Sequence, residues 1–170
     1  ELKINFVEQK RSNIRGERMS YKDMFDANWV DLNIQAATEE EAFELVAAKL
    51  MEAGVVNAGY LKGITERERN FPTGLITQHL NIALPHSDPE YVNKPFVFVA
   101  RLTDEVVCRQ MGDSQEMPVK DLFFLGIKNG KEQVGLLQAF MNLFMDKKFV
   151  DQYRSTVSTK DVYQLFVNNI

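Results

Sequence analysis

The run Leu122-Phe123-Phe124-Leu125 is apolar at four successive positions. A strand turns alternate side chains to opposite faces, so this run, inside Val119–Ile127, needs cover on both faces. Other strand candidates precede it. Asn81-Ile82-Ala83-Leu84 is short, apolar and halted by Pro85. Pro95–Leu102 sets Val97, Val99 and Arg101 against Phe96, Phe98 and Ala100, and Val106-Val107-Cys108 is a short third candidate.

Helical periodicity brackets this cluster of strands. The first firm element begins at Thr38, where Thr38-Glu39-Glu40-Glu41 has the form of a capping box. Phe43, Val46, Ala47, Leu50 and Met51 follow at helical spacing. Gly54 ends that helix, with Val55 packing back as in a Schellman stop. A second helix is expected from Asn57 to about Asn70, until Pro72-Thr73-Gly74 opens a loop. Asn129-Gly130 reads as a turn. Val134, Leu137, Met141 and Phe144 then mark a long helix to about Met145. A short helix around Phe149–Tyr153 follows, and Ser158 caps a last one through Val162, Leu165 and Phe166. Helices, clustered strands, then helices do not make regular βαβ winding. The order predicts an α/β (α+β) domain: a mixed central β-sheet flanked by helices in three layers.

A chain of 170 residues has room for one such domain. Its net charge of −4 argues against nucleic acid as a main partner. The single cysteine, Cys108, excludes an intramolecular disulfide and a Cys-rich zinc site. It has no neighbouring His or helix start to activate it, and reads as packing. The longest apolar stretch, Phe96–Ala100, is far short of the ~20 residues that span a bilayer, so no direct membrane insertion is expected. Charges are scattered through the first residues with no apolar core, so no secretory signal is expected and a cytoplasmic location is. Residues 1–18 show little periodicity. They read either as an extension upstream of a natural start at Met19 or as a native arm. Residues 1–24 are therefore set apart as an extension or arm, and 25–170 as the domain.

Few residues are left to carry chemistry. The two histidines, His79 and His86, form no metal-binding pair, and no glycine-rich phosphate cradle is present. Neither a metal nor a cofactor is expected. Glu39-Glu40-Glu41 suits a helix start better than acid–base work. What stands out is Thr65–Asp88. It holds Arg67-Glu68-Arg69, Phe71-Pro72-Thr73-Gly74-Leu75, Gln78-His79 and Ile82-Ala83-Leu84-Pro85-His86-Ser87-Asp88. Pro85 fixes the backbone so that the strand end projects His86 towards a cleft. Neutral imidazole is a nucleophile near pH 7, and an arginine fork can neutralise a transferred phosphoryl group. Spacing alone also allows, and by itself favours, a capped, partly buried His86 that bonds a backbone carbonyl.

Arg67-Glu68, Pro72-Thr73-Gly74 and Ile82-Ala83-Leu84-Pro85-His86 together resemble the signature of the mannitol/fructose-type IIA component of the bacterial sugar phosphotransferase system. The resemblance covers about residues 25–170. Phe71 before Pro72 and Gln78-His79 in the loop look most like the galactitol-specific subgroup. The resemblance implies a mixed sheet flanked by helices. It implies that His86 takes a phosphoryl group from the phosphocarrier HPr, that Arg67 steadies its charge, and that a cysteine of a cognate IIB protein receives it. A membrane IIC permease would then use it for uptake of a sugar or sugar alcohol, galactitol-like in this subgroup. Members of the mannitol and fructose type usually carry a second histidine at the start of the helix after the last central strand. Here Gln133 stands at that place, or Glu132 if the register slips by one. His79, seven residues before His86, is the other candidate for that role. Arg69 is the alternative to Arg67. Leu75, Ile76 and Leu80, with Pro85 and Val134, are expected to form a partly apolar rim for partner proteins, Leu75 and Ile76 lying on a loop over the cleft. A phosphorylation-dependent regulatory module of a transcriptional regulator is the alternative function, although residues 1–170 hold no DNA-binding helix pair. A binding protein without phosphate chemistry would require His86 to be buried.

Overall fold

Alternation along three strands divides the core into two. The structure, a computed structural model, describes residues 20–170. The expectations about residues 1–18 and Met19 lie outside the described residues. The strands are β1 (Val30–Ile34), β2 (Gly74–Ile76), β3 (Asn81–Ala83), β4 (Phe96–Arg109) and β5 (Glu116–Gly126). They form one sheet in the order β1-β4-β5-β3-β2. β1 with β4 and β3 with β5 are parallel, whereas β4 with β5 and β2 with β3 are antiparallel. The sheet is thus mixed, as its clustered strands predict.

The helices are α1 (Glu39–Glu52), α2 (Tyr60–Asn70), α3 (Gly130–Met145), α4 (Lys147–Ser155) and α5 (Thr159–Asn169). Phe96, Phe98, Ala100, Leu122 and Phe124 point to one side of the sheet, against Phe43, Val46 and Leu50 of α1 and Tyr60 and Ile64 of α2. Val97, Val99, Phe123 and Leu125 point to the other, against Phe140 and Phe144 of α3, Tyr153 of α4 and Phe166 of α5. Phe123 sits among four of these rings, with centroids 5.0 to 5.7 Å away. Such aromatic pairs add to the burial of apolar area. Cys108 is buried in the first core, and burial with Glu39 close by pushes its thiol up, away from reactivity.

The end signals of α1 act as expected. The Thr38 hydroxyl accepts from Glu41 N at 3.2 Å, while the Glu41 carboxylate reaches back to Ala37 N at 2.8 Å. Gly54 has φ +74°, and Val55 N donates to Leu50 O at 3.2 Å, which closes a Schellman motif.

Several expectations are corrected. An element precedes Thr38: β1 alternates buried Val30, Leu32 and Ile34 with more exposed Asp31 and Asn33. Met51 is exposed although it repeats at helical spacing. α2 starts at Tyr60 rather than Asn57, whose side chain instead accepts from Gly59 N. Pro95–Leu102 and Val106–Cys108 are one strand, β4, with an irregularity between Arg101 and Val106. The segment after Pro72 is not a loop: Gly74–Ile76 is the edge strand β2. Asn129 does not make a turn but caps α3, its side chain accepting from Glu132 N at 2.9 Å. The buried face of α3 is Leu136, Phe140, Leu143 and Phe144, so Val134 and Met141 face solvent.

Candidate active site

Backbone bonds fix where His86 stands. Leu84 N donates to the Thr73 hydroxyl at 3.2 Å, and its contact with Thr73 O is 3.3 Å. Leu125 N donates to Pro85 O at 3.0 Å, and His86 itself pairs with Leu125 in a parallel bridge. The segment beyond β3 is therefore held against β5 at the end of the sheet.

The ring of His86 has a defined proton. Its Nδ1 lies 2.8 Å from Leu84 O, a carbonyl that can only accept, so Nδ1 carries the hydrogen. In the neutral ring Nε2 then bears the lone pair. That nitrogen accepts from the side-chain amide of Gln133 at 3.1 Å. His86 is 5% exposed. Burial lowers the imidazole pKa below 6.5, opposed by the Leu84 bond; the Arg67 charge lowers it further, opposed by Asp88. The ring is thus held neutral, with Nε2 covered by Gln133, itself only half-buried on the first turns of α3. The reading of His86 as a histidine bonded to a backbone carbonyl and the reading as a nucleophile describe its two nitrogens. Burial of the residue, which a site without phosphate chemistry requires, leaves the lone pair one side chain from the surface.

Arg67 lies in the last turn of α2. Its Nη1 donates to Asp88 Oδ1 at 2.9 Å, and its guanidinium sits 5.5 Å from the centre of the Phe71 ring. Its Nε is buried and has no partner among the described residues. Arg69 is exposed; it contributes its carbonyl to Arg109 and lines cavities with Glu40 and Thr65, away from His86. The structure therefore brings together His86, Gln133 and Arg67, and not Arg69 or Glu132.

His79 is not brought to this site. It lies in the β2–β3 turn, at the other end of β3, where a polar cavity of about 510 Å³ is lined by His79, Arg101, Lys120 and Arg154. Six residues, Leu80 to Pro85, separate it from His86, and the extended strand β3 lies within them. Nearness in sequence fails here because the intervening segment is a strand. The expected rim is corrected for the same reason. Ile76 is exposed, but it pairs with Asn81 and so lies at that far end with Leu75 and Leu80. Pro85 is buried. Val134, next to Gln133, is 70% exposed, and Phe71, beneath Arg67, is 65% exposed. Phe71 is a rim residue that sequence reasoning misses; an aromatic following a polar helix end is its only signal. Asp88 and Thr73 belong to the motif, but only the folded chain shows Asp88 bracing Arg67 and Thr73 holding Leu84.

A mixed sheet that presents a neutral imidazole at a strand end, beside an arginine, is an arrangement suited to phosphoryl transfer. Comparison with known proteins agrees. The family model described as "Phosphoenolpyruvate-dependent sugar phosphotransferase system, EIIA 2" matches residues 23–169. The galactitol-specific EIIA component of Escherichia coli K12 is 23% identical over 123 residues, 72% of this chain and 82% of that protein. The mannitol-specific IIA component of Enterococcus faecalis is 26% identical over 138 residues, 78% and 90% of the two chains. Among solved structures, IIA-mannitol in its complex with phosphorylated IIB-mannitol from Escherichia coli superposes with a TM-score of 0.70 at 23% identity, over 85% of this chain and 99% of that one. The chain belongs to the EIIA type 2 family of the sugar phosphotransferase system, whose members are phosphoryl carriers in sugar uptake and hence transferase components. Among the described residues no helix is long and apolar enough to cross a membrane.

Proposed function

We propose that His86 is the phosphoacceptor and that this chain, through residues 25–170, carries phosphate from HPr to a cysteine of a cognate IIB protein in the cytoplasm. The observation that carries this reading is the ring's proton: Nδ1–H is bonded to Leu84 O, which leaves the Nε2 lone pair for attack. Nε2 attacks the phosphorus of phosphohistidine on HPr. The new Nε2–P bond forms as the donor's N–P bond breaks, and that electron pair stays on the HPr ring. No proton has to leave His86. The positive charge that develops on its ring is stabilised by the Leu84 carbonyl across Nδ1–H. In the second transfer a thiolate sulfur of IIB attacks phosphorus, and the Nε2–P electrons return to His86.

The charge on the moving phosphoryl oxygens is met by Arg67. Gln133 must swing off Nε2 before phosphorus can approach, and its amide then donates to a phosphoryl oxygen without adding charge. Relatives named for galactitol and mannitol support a sugar alcohol as the transported solute, delivered by a IIC permease downstream. The reading is tested with enzyme I, HPr and labelled phosphoenolpyruvate. His86→Ala should take up no label, and His79→Ala should take it up normally. Label retained by His86→Ala overturns the assignment.

A further inference from the structure

Glu68 is a buried acid that the transfer chemistry above does not use, although it directly follows Arg67 in sequence. Its carboxylate accepts from Thr73 N at 2.9 Å and from the Thr73 hydroxyl at 3.0 Å. A carboxylate only accepts, so the Thr73 hydroxyl hydrogen is committed to Glu68. The hydroxyl's lone pairs are thereby left to accept from Leu84 N at 3.2 Å. Leu84 in turn offers the carbonyl that holds His86 Nδ1–H. The carboxylate, which can only accept, sets the direction of the Thr73 hydroxyl; the Leu84 N–H and carbonyl keep theirs in any case, so what Glu68 fixes is where Leu84 stands.

We propose that Glu68 is a positioning residue of the phosphoryl site: through Thr73 its carboxylate anchors Leu84, so that the Leu84 carbonyl stays on His86 Nδ1–H and Nε2 stays unprotonated for phosphorus. The proposal rests on His86 as phosphoacceptor only for its consequence in rate; the effect on the ring stands apart from it. Protonation or amidation of Glu68 introduces a donor that competes for the Thr73 oxygen. The hydroxyl hydrogen must then turn elsewhere, towards Leu84 N–H, and the Leu84 backbone loses one of its anchors. The groups facing Glu68 are Thr73 from the loop, Glu39 from α1, and Cys108 and Arg109 from β4. Burial, reinforced by Glu39, pushes the Glu68 carboxyl up to about 7, against the Thr73 bonds and Arg109. The switch from acceptor to donor thus falls near pH 7.

The test combines ring nitrogen NMR of His86 with phosphate uptake from phospho-HPr. Glu68→Gln should populate the Nε2–H tautomer and slow uptake by about 10–100-fold, the scale seen when hydrogen-bond partners behind a metal ligand are removed. Wild-type His86 shifts should follow a titration near pH 7 that Glu68→Gln lacks. Thr73→Val and Thr73→Ser keep the question open to refutation if Glu68→Gln does not fold. Loss of the hydroxyl in Thr73→Val should reproduce the defect, and Thr73→Ser, which keeps it, should restore both the tautomer and the rate. A folded Glu68→Gln with wild-type shifts, or a Thr73→Ser as defective as Thr73→Val, overturns the proposal. Should His86→Ala still accept phosphate, the reading of function fails, while the ring shifts still decide the role of Glu68.

Discussion

Arg67 brings a permanent charge up to a ring that must stay uncharged. Both needs are met by geometry: the guanidinium is braced by Asp88 on one side and the Phe71 ring on the other, while the Leu84 carbonyl fixes the imidazole proton. A lysine at this place keeps the charge but has no planar fork to be braced. Arg67→Lys should therefore fold normally and transfer phosphate more slowly, by about 10²–10³, the loss seen when one oxyanion donor is removed. Single-turnover uptake from phospho-HPr checks it. Arg69→Ala is the control. Its side chain faces away from His86, so a slow Arg69→Ala beside a normal Arg67→Lys would show that the wrong arginine has been placed in the site.

At the scale of elements, β2 decides which surfaces flank the site. It exists because Gly74 lets its backbone rest on the end of β4. A Cβ at Gly74 would stand 2.5 Å from the Arg109 carbonyl oxygen, and Met111 N donates to Gly74 O at 2.7 Å. Gly74→Ala forces backbone apart and should destabilise the protein by about 1–3 kcal/mol, the usual cost of overpacking. Urea denaturation measures that loss; an unchanged midpoint would mean that the two strands separate freely. The same strand carries Ile76 away from His86, while the first turns of α3 carry Val134 towards it. Phosphoryl transfer needs donor and acceptor in line with water kept out, so apolar groups beside His86 matter to docking and those at the far end do not. Val134→Asp should slow transfer from HPr and to IIB with little change in Tm. Ile76→Asp should transfer at the wild-type rate, and the reverse pattern would move the docking surface to the β2 edge.

For the molecule as a whole, the buried acid behind the site has a consequence for stability. The Glu68 carboxyl is raised from 4.5 to about 7 on folding. A raised carboxyl binds its proton more tightly in the folded state. Its contribution is fully present below pH ~4.5 and is lost as the pH climbs through ~7, about 3 kcal/mol in all. Asp121, raised mainly by burial despite its bonds from Tyr153 and Arg101, acts in the same direction. His86, lowered by burial, acts in the opposite one, losing its contribution as the pH falls below ~6.5. Glu68→Gln leaves the last two in place. Between pH 5 and pH 8 it should lose about 3 kcal/mol less than the wild type in urea unfolding. Parallel curves would mean that Glu68 ionises as readily folded as unfolded. The ionised acid that orders the site is then also the state least comfortable in the core.

Local signals in the chain were enough for what depends on neighbours in sequence. Thr38 and Gly54 bound α1 through bonds that close within a few residues, and the Phe123–Phe124 alternation forces cover on both faces of β5. Pro85 marks where a strand must stop, so the position of His86 was legible, and the nearness of Arg67 to it follows from the Arg67–Asp88 pair two residues beyond. What needed the folded chain were effects of distance. β1 is five residues between a 3-10 turn at Ala27–Trp29 and the start of α1, too brief a period to stand out, and becomes a strand by pairing with β4. Exposed Thr103, Asp104 and Glu105 interrupt the pattern of β4 without interrupting the strand, because β5 supplies the ladder on both sides of the irregularity. Whether His79 or Gln133 meets His86 could not be read from separations of 7 and 47 residues. An extended β3 carries His79 away, and the return of α3 over the sheet end brings Gln133 to Nε2, since a strand separates sequence neighbours while a packed helix joins distant ones.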